Sequence, residues 1–262
     1  MKKITNDNII LNNLKNFDQP KSDCEKIHQK MKLKHIKNEV LMNPKTFPKE
    51  WKTIEFKGYP RFEEIKLPKP KLNKKITLEN SLLKRTSVRQ FQQYKVSLQE
   101  ISTLLYYSLG IKNVKSSSSS RFYPSAGARY PIEIYVLSLN TELPPGTYHY
   151  FIKNHSLEKL QENKQFSVQK YILQKEFKTA SFFIVMTGLF SRSYIKYGPR
   201  AYPFTLIEAG HIGQNIYLVS SGTGLATCGI EGFNNFELDK LLDIDGVNES
   251  SLYVFAVGKE KT

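Results

Sequence analysis

The sequence predicts an α+β fold, and three observations lead there. Arg121 to Leu137 passes from a Tyr123-Pro124 turn through Ser125, Ala126 and Gly127 into the run Ile132, Ile134, Val136, the period-2 pattern of a strand. Pro144-Pro145-Gly146 then marks a turn, and Thr147 to Phe151 reads as a second strand. Helical spacing appears elsewhere in the same chain. Leu98 to Leu109 sets Ile101, Leu104, Leu105 and Leu109 on one face and stops at Gly110.

Composition bounds the rest. A chain of 262 residues, 40% hydrophobic and 12% aromatic, can bury a substantial core in one large or two small domains. No apolar run approaches the roughly 20 residues that span a bilayer. Met1-Lys2-Lys3 is followed only by Ile9-Ile10-Leu11, which is no convincing signal peptide. Cys24 and Cys228 are too few for a disulfide framework, and no Cys/His spacing reads as a zinc site. The expectation is a soluble protein of a reducing cytoplasm, without metal or membrane. The formal charge of +15 is uneven, because residues 1–80 carry 19 Lys and Arg against 10 Asp and Glu. Such an excess suits nucleic acid, an acidic peptide or a partner protein, or merely a solvated face. No helix-turn-helix, zinc finger or aromatic-basic platform accompanies it, which weighs against nucleic acid.

Taken in order, residues 6–43 are lysine-rich, with Ile27, Met31, Leu33, Ile36, Val40 and Leu41 at the loose spacing of one or two amphipathic helices. Pro44, Pro48, Pro60, Pro68 and Pro70 then predict an extended arm through Lys71. The boundary is placed at 75/76, a basic docking or wrapping region preceding the main domain. Thr77 to Lys84 is a helix leading into Arg85-Thr86-Ser87-Val88-Arg89, two guanidinium forks and a hydroxyl within five residues. That spacing suits phosphate, and it also suits an ordinary solvated helix end. Ser116 to Ser120 is a flexible loop, and Asn154 to Glu158 a turn that makes His155 a turn residue rather than a catalyst. Gln165 to Phe177 is predicted helical, Ala180 to Leu189 a buried strand, Asn234 to Leu242 a short helix and Leu252 to Val257 the last strand.

Two further stretches carry chemistry. Ser193 to Leu218 holds Lys196-Tyr197, Arg200 and Tyr202, then a helix whose Leu206, Gly210, Gly213, Ile216 and Tyr217 fall at close-packing intervals. Ser221 to Phe233 holds four glycines ending in Gly229-Ile230-Glu231-Gly232-Phe233, and includes Cys228, which reads by default as a small buried residue.

Pro124 to Pro131 resembles the PSAGALYP signature of the SagB/ThcOx-type azoline dehydrogenases of the nitroreductase superfamily, with Arg129 where the usual Leu stands. Lys196 to Tyr202 is similar to the Lys-Tyr motif of that branch, and Gly229 to Phe233 to the strand-loop that meets the flavin in nitroreductases. The resemblance spans residues 80–259 well and 20–75 loosely. It implies a nitroreductase-like α+β fold, an antiparallel-rich sheet flanked by helices, and a homodimer with FMN at the interface. It further implies that Arg85, Ser87 and Arg89 hold the phosphate and ribityl end, with Lys259 facing phosphate. Pro124, Ser125, Ala126 and Gly127 would come from the facing subunit, and Glu231 and Gly232 would approach flavin N5. The implied reaction is oxidation of thiazolines or oxazolines in a precursor peptide, alongside a cyclodehydratase and docking partners. Tyr197 is the first choice of base, with Lys196 favouring its phenolate, and the reverse assignment stands open. A nicotinamide-dependent nitroreductase or quinone reductase and a noncatalytic basic scaffold are the alternatives.

Overall fold

A computed structural model describes residues 23–32, 48–53, 56–72, 75–112, 120–163 and 167–261. Two compact units divide after Pro48. In the first, α1 (Asp23–Met31) is described, with acids in its first turn and bases in its last, as the helix dipole favours. The remaining calls between residues 6 and 43, and most of the serine loop, lie outside the described residues.

The second unit carries β1 (Glu63–Lys66), β2 (Phe91–Gln92), β3 (Ile132–Ser138), β4 (Gly146–Phe151), β5 (Ser156–Glu162), β6 (Phe182–Leu189), β7 (Ala226–Ile230) and β8 (Glu249–Glu260). They form one sheet in the order β1-β5-β4-β3-β6-β8-β2, with β7 pairing β8, and each of these ladders is antiparallel. Strand alternation sends Ile132, Ile134 and Val136 of β3 into one apolar cluster, and Tyr135 and Leu137 into another on the opposite side. Both faces of the central strands are therefore covered.

The helices are α2 (Lys49–Lys52), α3 (Leu78–Lys84), α4 (Leu98–Leu109), α5 (Ser191–Tyr197), α6 (Ala201–Thr223) and α7 (Asn235–Leu241). On the first face α4 and α6 bring Leu104, Leu105, Ile212 and Ile216 against Ile134, Ile184 and Phe255. A reciprocal capping box fixes the start of α4: Ser97 Oγ accepts from Glu100 N at 3.2 Å, and the Glu100 carboxylate accepts from Ser97 N at 2.9 Å. Gly110 closes the helix where the sequence places it. The second face is covered by α7 and by two short 3₁₀ turns.

Those turns correct one expectation. Residues 165–177 are not a helix; Val168–Lys170 and Lys175–Thr179 are single 3₁₀ turns, and 164–166 are outside the described residues. The backbone between them pairs sideways, Leu173 N donating to Gly232 O at 3.1 Å and Asn234 N to Tyr171 O at 2.8 Å. Helix formation would forfeit these bonds. The proline arm is likewise not continuously extended, since it holds the turn α2 and the strand β1, which pairs with β5. Asn154 to Glu158 is a turn only as far as His155, at φ 50°, and Ser156 already begins β5. Residues 49–72 belong to the larger unit, although their composition resembles that of the basic N-terminal region.

Candidate active site

At the N-terminal end of α6, the Ser-Ala-Gly turn and the Lys-Tyr pair come together. Gly127 has φ 58°, Ala128 54° and Tyr130 50°, so the chain turns through left-handed backbone that glycine tolerates best. Ser125 Oγ ties the turn by accepting from Tyr130 N at 2.8 Å. A Cβ on Gly127 would collide with the Tyr197 hydroxyl and stand 2.8 Å from Lys196 Nζ. The missing side chain is thus the space the pair occupies. Lys196 and Tyr197 end α5, a helix that the sequence analysis did not identify, which breaks at Gly198 with φ 54°. Tyr197 packs edge-on against Phe204, and Lys196 Nζ lies 5.8 Å from the Trp51 ring centroid.

Arg129, the departure from the signature, is buried beside them. Its Nε donates to Arg192 O at 2.7 Å, and one terminal nitrogen donates to Trp51 O at 2.9 Å and Thr53 O at 3.0 Å. One guanidinium therefore fixes α5, α2 and the turn relative to one another. Burial and the Arg129 charge together lower the proton affinity of Lys196. Burial raises that of Tyr197, against a smaller opposing pull from Arg129. Both shifts run against a phenolate favoured by its lysine neighbour: the amine loses its proton more readily than usual and the phenol keeps its own.

The other predicted stretches meet at the far end of α6. Tyr217 is their junction, its hydroxyl lying 3.0 Å from Ser87 Oγ and accepting from Gly229 N at 2.8 Å, with Arg85 over its ring at 5.5 Å. Arg85 and Arg89 are exposed at this edge. Glu231 is exposed too, and Gly232 packs so closely on Gln174 that a Cβ would overlap its amide. A cavity of about 320 Å³ opens between Thr86, Val88, Tyr217, Ser220 and Thr227. Lys259 Nζ is turned toward Gly224 O at 2.6 Å and stands 3.7 Å from Glu100. Cys228 is buried, and burial raises its thiol pKa, so it is no nucleophile.

Glu208, which reaches the Ser125 side chain, and Tyr217 are nine residues apart, about 14 Å along the helix axis. The candidate residues of one chain thus fall into two groups, Pro124 to Gly127 with Lys196-Tyr197 along the N-terminal half of α6, and Arg85 to Arg89 with Gly229 to Gly232 along its C-terminal half. The helix α6 exposes Tyr202, Leu206 and Ile207, and a Cβ on Gly210 would meet nothing within 4 Å.

Two groups were missed in the sequence. Glu208 of α6 is 2% exposed and reaches the Ser125 side chain and the Ile132 backbone, while its Oε1 has no partner among the described residues. Burial pushes its pKa up to about 7 despite the Arg121 and Arg192 charges. His149 is sandwiched between Glu158 at 2.8 Å and Glu133 at 2.9 Å, and Glu133 continues to Arg192 at 2.5 Å. Burial opposes charge on both members of the His149–Glu133 pair. The hydrogen bond from His149 and the Arg192 charge nonetheless hold Glu133 down at about 2, and the Glu133 and Glu158 carboxylates raise His149. No local motif announces either group, since their partners lie many residues away.

Among the described residues no cluster of His, Cys, Asp and Glu could hold a metal, and no helix is long and apolar enough to cross a membrane. Residues 82–259 match the nitroreductase family. The chain belongs to that family. A relative from Methanocaldococcus jannaschii, named for the nitroreductases, is 30% identical over 200 residues, 75% of this chain and 96% of its own. The microcin B17-processing protein McbC of Escherichia coli is 30% identical over 159 residues, 58% of each chain. A chain of the E. coli microcin synthetase McbBCD complex, solved with truncated pro-MccB17 bound, superposes with a TM-score of 0.59 at 23% identity, over 90% of this chain and 87% of that one. The last likeness is one of fold. Both groups of candidate residues fall inside the nitroreductase match apart from the arm that carries Trp51.

Proposed function

We propose that this nitroreductase-family chain is an FMN-dependent azoline dehydrogenase that converts thiazolines or oxazolines of a ribosomally made peptide to thiazoles or oxazoles. The observation that carries the reading is the Lys196-Tyr197 pair packed against Gly127 of the Ser-Ala-Gly turn. Similarity to McbC, a processing protein for a modified peptide, supports it.

The residues present fit FMN. Exposed Arg85 and Arg89 with Ser87 offer charge-assisted donors for a phosphate and hydroxyls, beside the cavity that Thr86, Val88 and Tyr217 bound. Bound FMN supplies a two-electron acceptor for hydride from one ring carbon. The protein's part is to orient the azoline and take the proton from the other ring carbon. Lys196 in its neutral form is the base and Tyr197 the phenol that hydrogen-bonds the ring heteroatom. Lowered amine proton affinity is what such a role needs near neutral pH.

A homodimer completes the site in this proposal, the turn and Lys-Tyr half of one subunit facing the Arg-Ser-Arg half of the other. The apolar face of α6 at Tyr202, Leu206 and Ile207 supplies the contact. Residues 1–75 then serve as a basic docking region for precursor peptide or cyclodehydratase. The competing reading, a nitroreductase, is favoured by the name of the Methanocaldococcus jannaschii relative.

The deciding experiment is anaerobic mixing of the yellow holoprotein with a thiazoline peptide, without nicotinamide. Bleaching of flavin absorbance with formation of one thiazole per flavin is expected. Bleaching by NADPH alone, with none by the peptide, sinks the proposal and leaves the nitroreductase reading.

A further inference from the structure

Beside the Lys-Tyr pair lies a second cavity, of about 410 Å³, bounded by Lys49 and Thr53 of the arm and by Arg129, Ser191 and Arg192. It opens on the face of α5 next to the one bearing Lys196. Three cations border it against one carboxylate, Glu50, which is exposed. Arg192 is 4% exposed, and its Nε is buried with no hydrogen-bond partner among the described residues, although its terminal nitrogen is held by Glu133 and by Tyr130 O at 3.0 Å. The Arg192 and Arg129 charges nonetheless border the cavity, where they favour an anionic group. Ser191 adds a hydroxyl at the cavity edge. The grips of Arg129 on Trp51 O and Thr53 O hold the arm in place as one wall.

We propose that this cavity is a carboxylate-binding subsite for the peptide substrate, accepting an acidic side chain, or the peptide's C-terminal carboxylate, close to the azoline. The donors suit that chemistry: planar guanidinium N–H, an ammonium at the rim and a hydroxyl converge on a space far larger than one ion needs, with room for peptide backbone. The source of the carboxylate rests on the azoline-peptide reading, whereas the carboxylate chemistry rests on the cavity alone. A carboxylate there also sits in the field that Arg129 directs at Lys196, so that binding raises the lysine's proton affinity.

Trp51 is the chain's sole tryptophan, and its carbonyl accepts from Arg129 of the cavity wall, so its fluorescence reports occupancy. Holoprotein is titrated at constant ionic strength with N-acetyl-glutamate methylamide, its neutral glutamine counterpart, and N-acetyl-alanine for the C-terminal source. Saturable change is expected with a carboxylate probe at least about tenfold tighter than with the glutamine probe. Whichever carboxylate probe binds more tightly identifies the source. Lys49→Met, at the exposed rim, weakens binding by up to about fivefold, and Arg129→Lys, which keeps charge but loses the fork, weakens it further. Equal affinity for the neutral probe, no saturation with either carboxylate, or unchanged affinity in both variants overturns the proposal. A second arm compares kcat/KM for thiazoline peptides with Glu or Gln beside the ring. The ratio of kcat/KM for the Glu peptide to that for the Gln peptide should exceed one in wild type and shrink in Lys49→Met. Carboxylate binding without thiazoline oxidation keeps the subsite and removes the azoline peptide as its source, which separates the two failures.

Discussion

Lys196 and Tyr197 differ in which protonation state their shared environment favours, and in the proposed mechanism that difference sets their roles. Replacing Lys196 by Met is expected to cut single-turnover flavin reduction by a thiazoline peptide about 10²- to 10⁴-fold, while flavin content and folding stay as in wild type. Tyr197→Phe should lose less and keep its pH profile. Wild-type rate should rise with pH as the amine deprotonates, through an apparent pKa below that of an ordinary lysine, and the dependence should vanish in Lys196→Met. A pH-independent wild type removes lysine as the base. Glu208 gives a separate test. Its folded-state pKa of about 7 is above the ordinary 4.5, so its contribution is complete below that value and is lost as pH rises to about 7 and beyond. Glu208→Gln, which mimics the protonated acid, should gain on wild type by about 3 kcal/mol between pH 4.5 and 8 in denaturant unfolding. A pH-independent difference would show that the carboxyl titrates normally. Gly127→Ala should cost about 1–3 kcal/mol from its backbone angles alone, and should also dislodge Tyr197. These residues differ in how visible they are beforehand. Lys196, Tyr197 and Gly127 sit in short motifs, whereas Glu208 and the Glu158–His149–Glu133–Arg192 chain become a network only when distant strands align.

At the scale of elements, α4 was legible to the residue, because capping box, apolar spacing and terminal glycine all agree. β6 and β3 were legible for similar reasons of pattern. β5 was not, since Ser156–Glu162 is rich in polar residues and acquires its strand form from pairing with β4 and β1. Residues 165–177 failed in the opposite direction: they show helical spacing, but their backbone is needed by the Gly232 loop. That loop and the Arg-Ser-Arg segment meet at Tyr217, which no motif singled out as a contact. If Arg85 and Arg89 hold the flavin phosphate, alanine at either should weaken FMN binding by roughly 1.5–3 kcal/mol, read as flavin loss on dialysis. Salt should deepen the loss. Unchanged flavin content in both variants removes the phosphate assignment.

For the whole molecule, the 23-residue α6 sets the geometry, with the two groups of candidate residues along its two halves and an exposed apolar stretch at Tyr202, Leu206 and Ile207. In the proposed homodimer, Ile207→Asp should give monomer in sedimentation and lose flavin with it, because there each site needs residues from both chains. A monomer retaining full flavin would refute the shared site. The fold was readable from strand and helix patterns together with the family's motifs. The division of the candidate residues between the two halves of α6 was not, since spacing along a chain does not report separation in space. This division has a genetic corollary. A chain disabled at Lys196 and a chain disabled at Arg85 and Arg89 are each inactive alone. Under the proposed homodimer, co-expression gives mixed dimers in which one site inherits both defects and the other inherits neither. With random pairing about a quarter of the wild-type sites return, so two dead alleles together should restore production of the mature peptide.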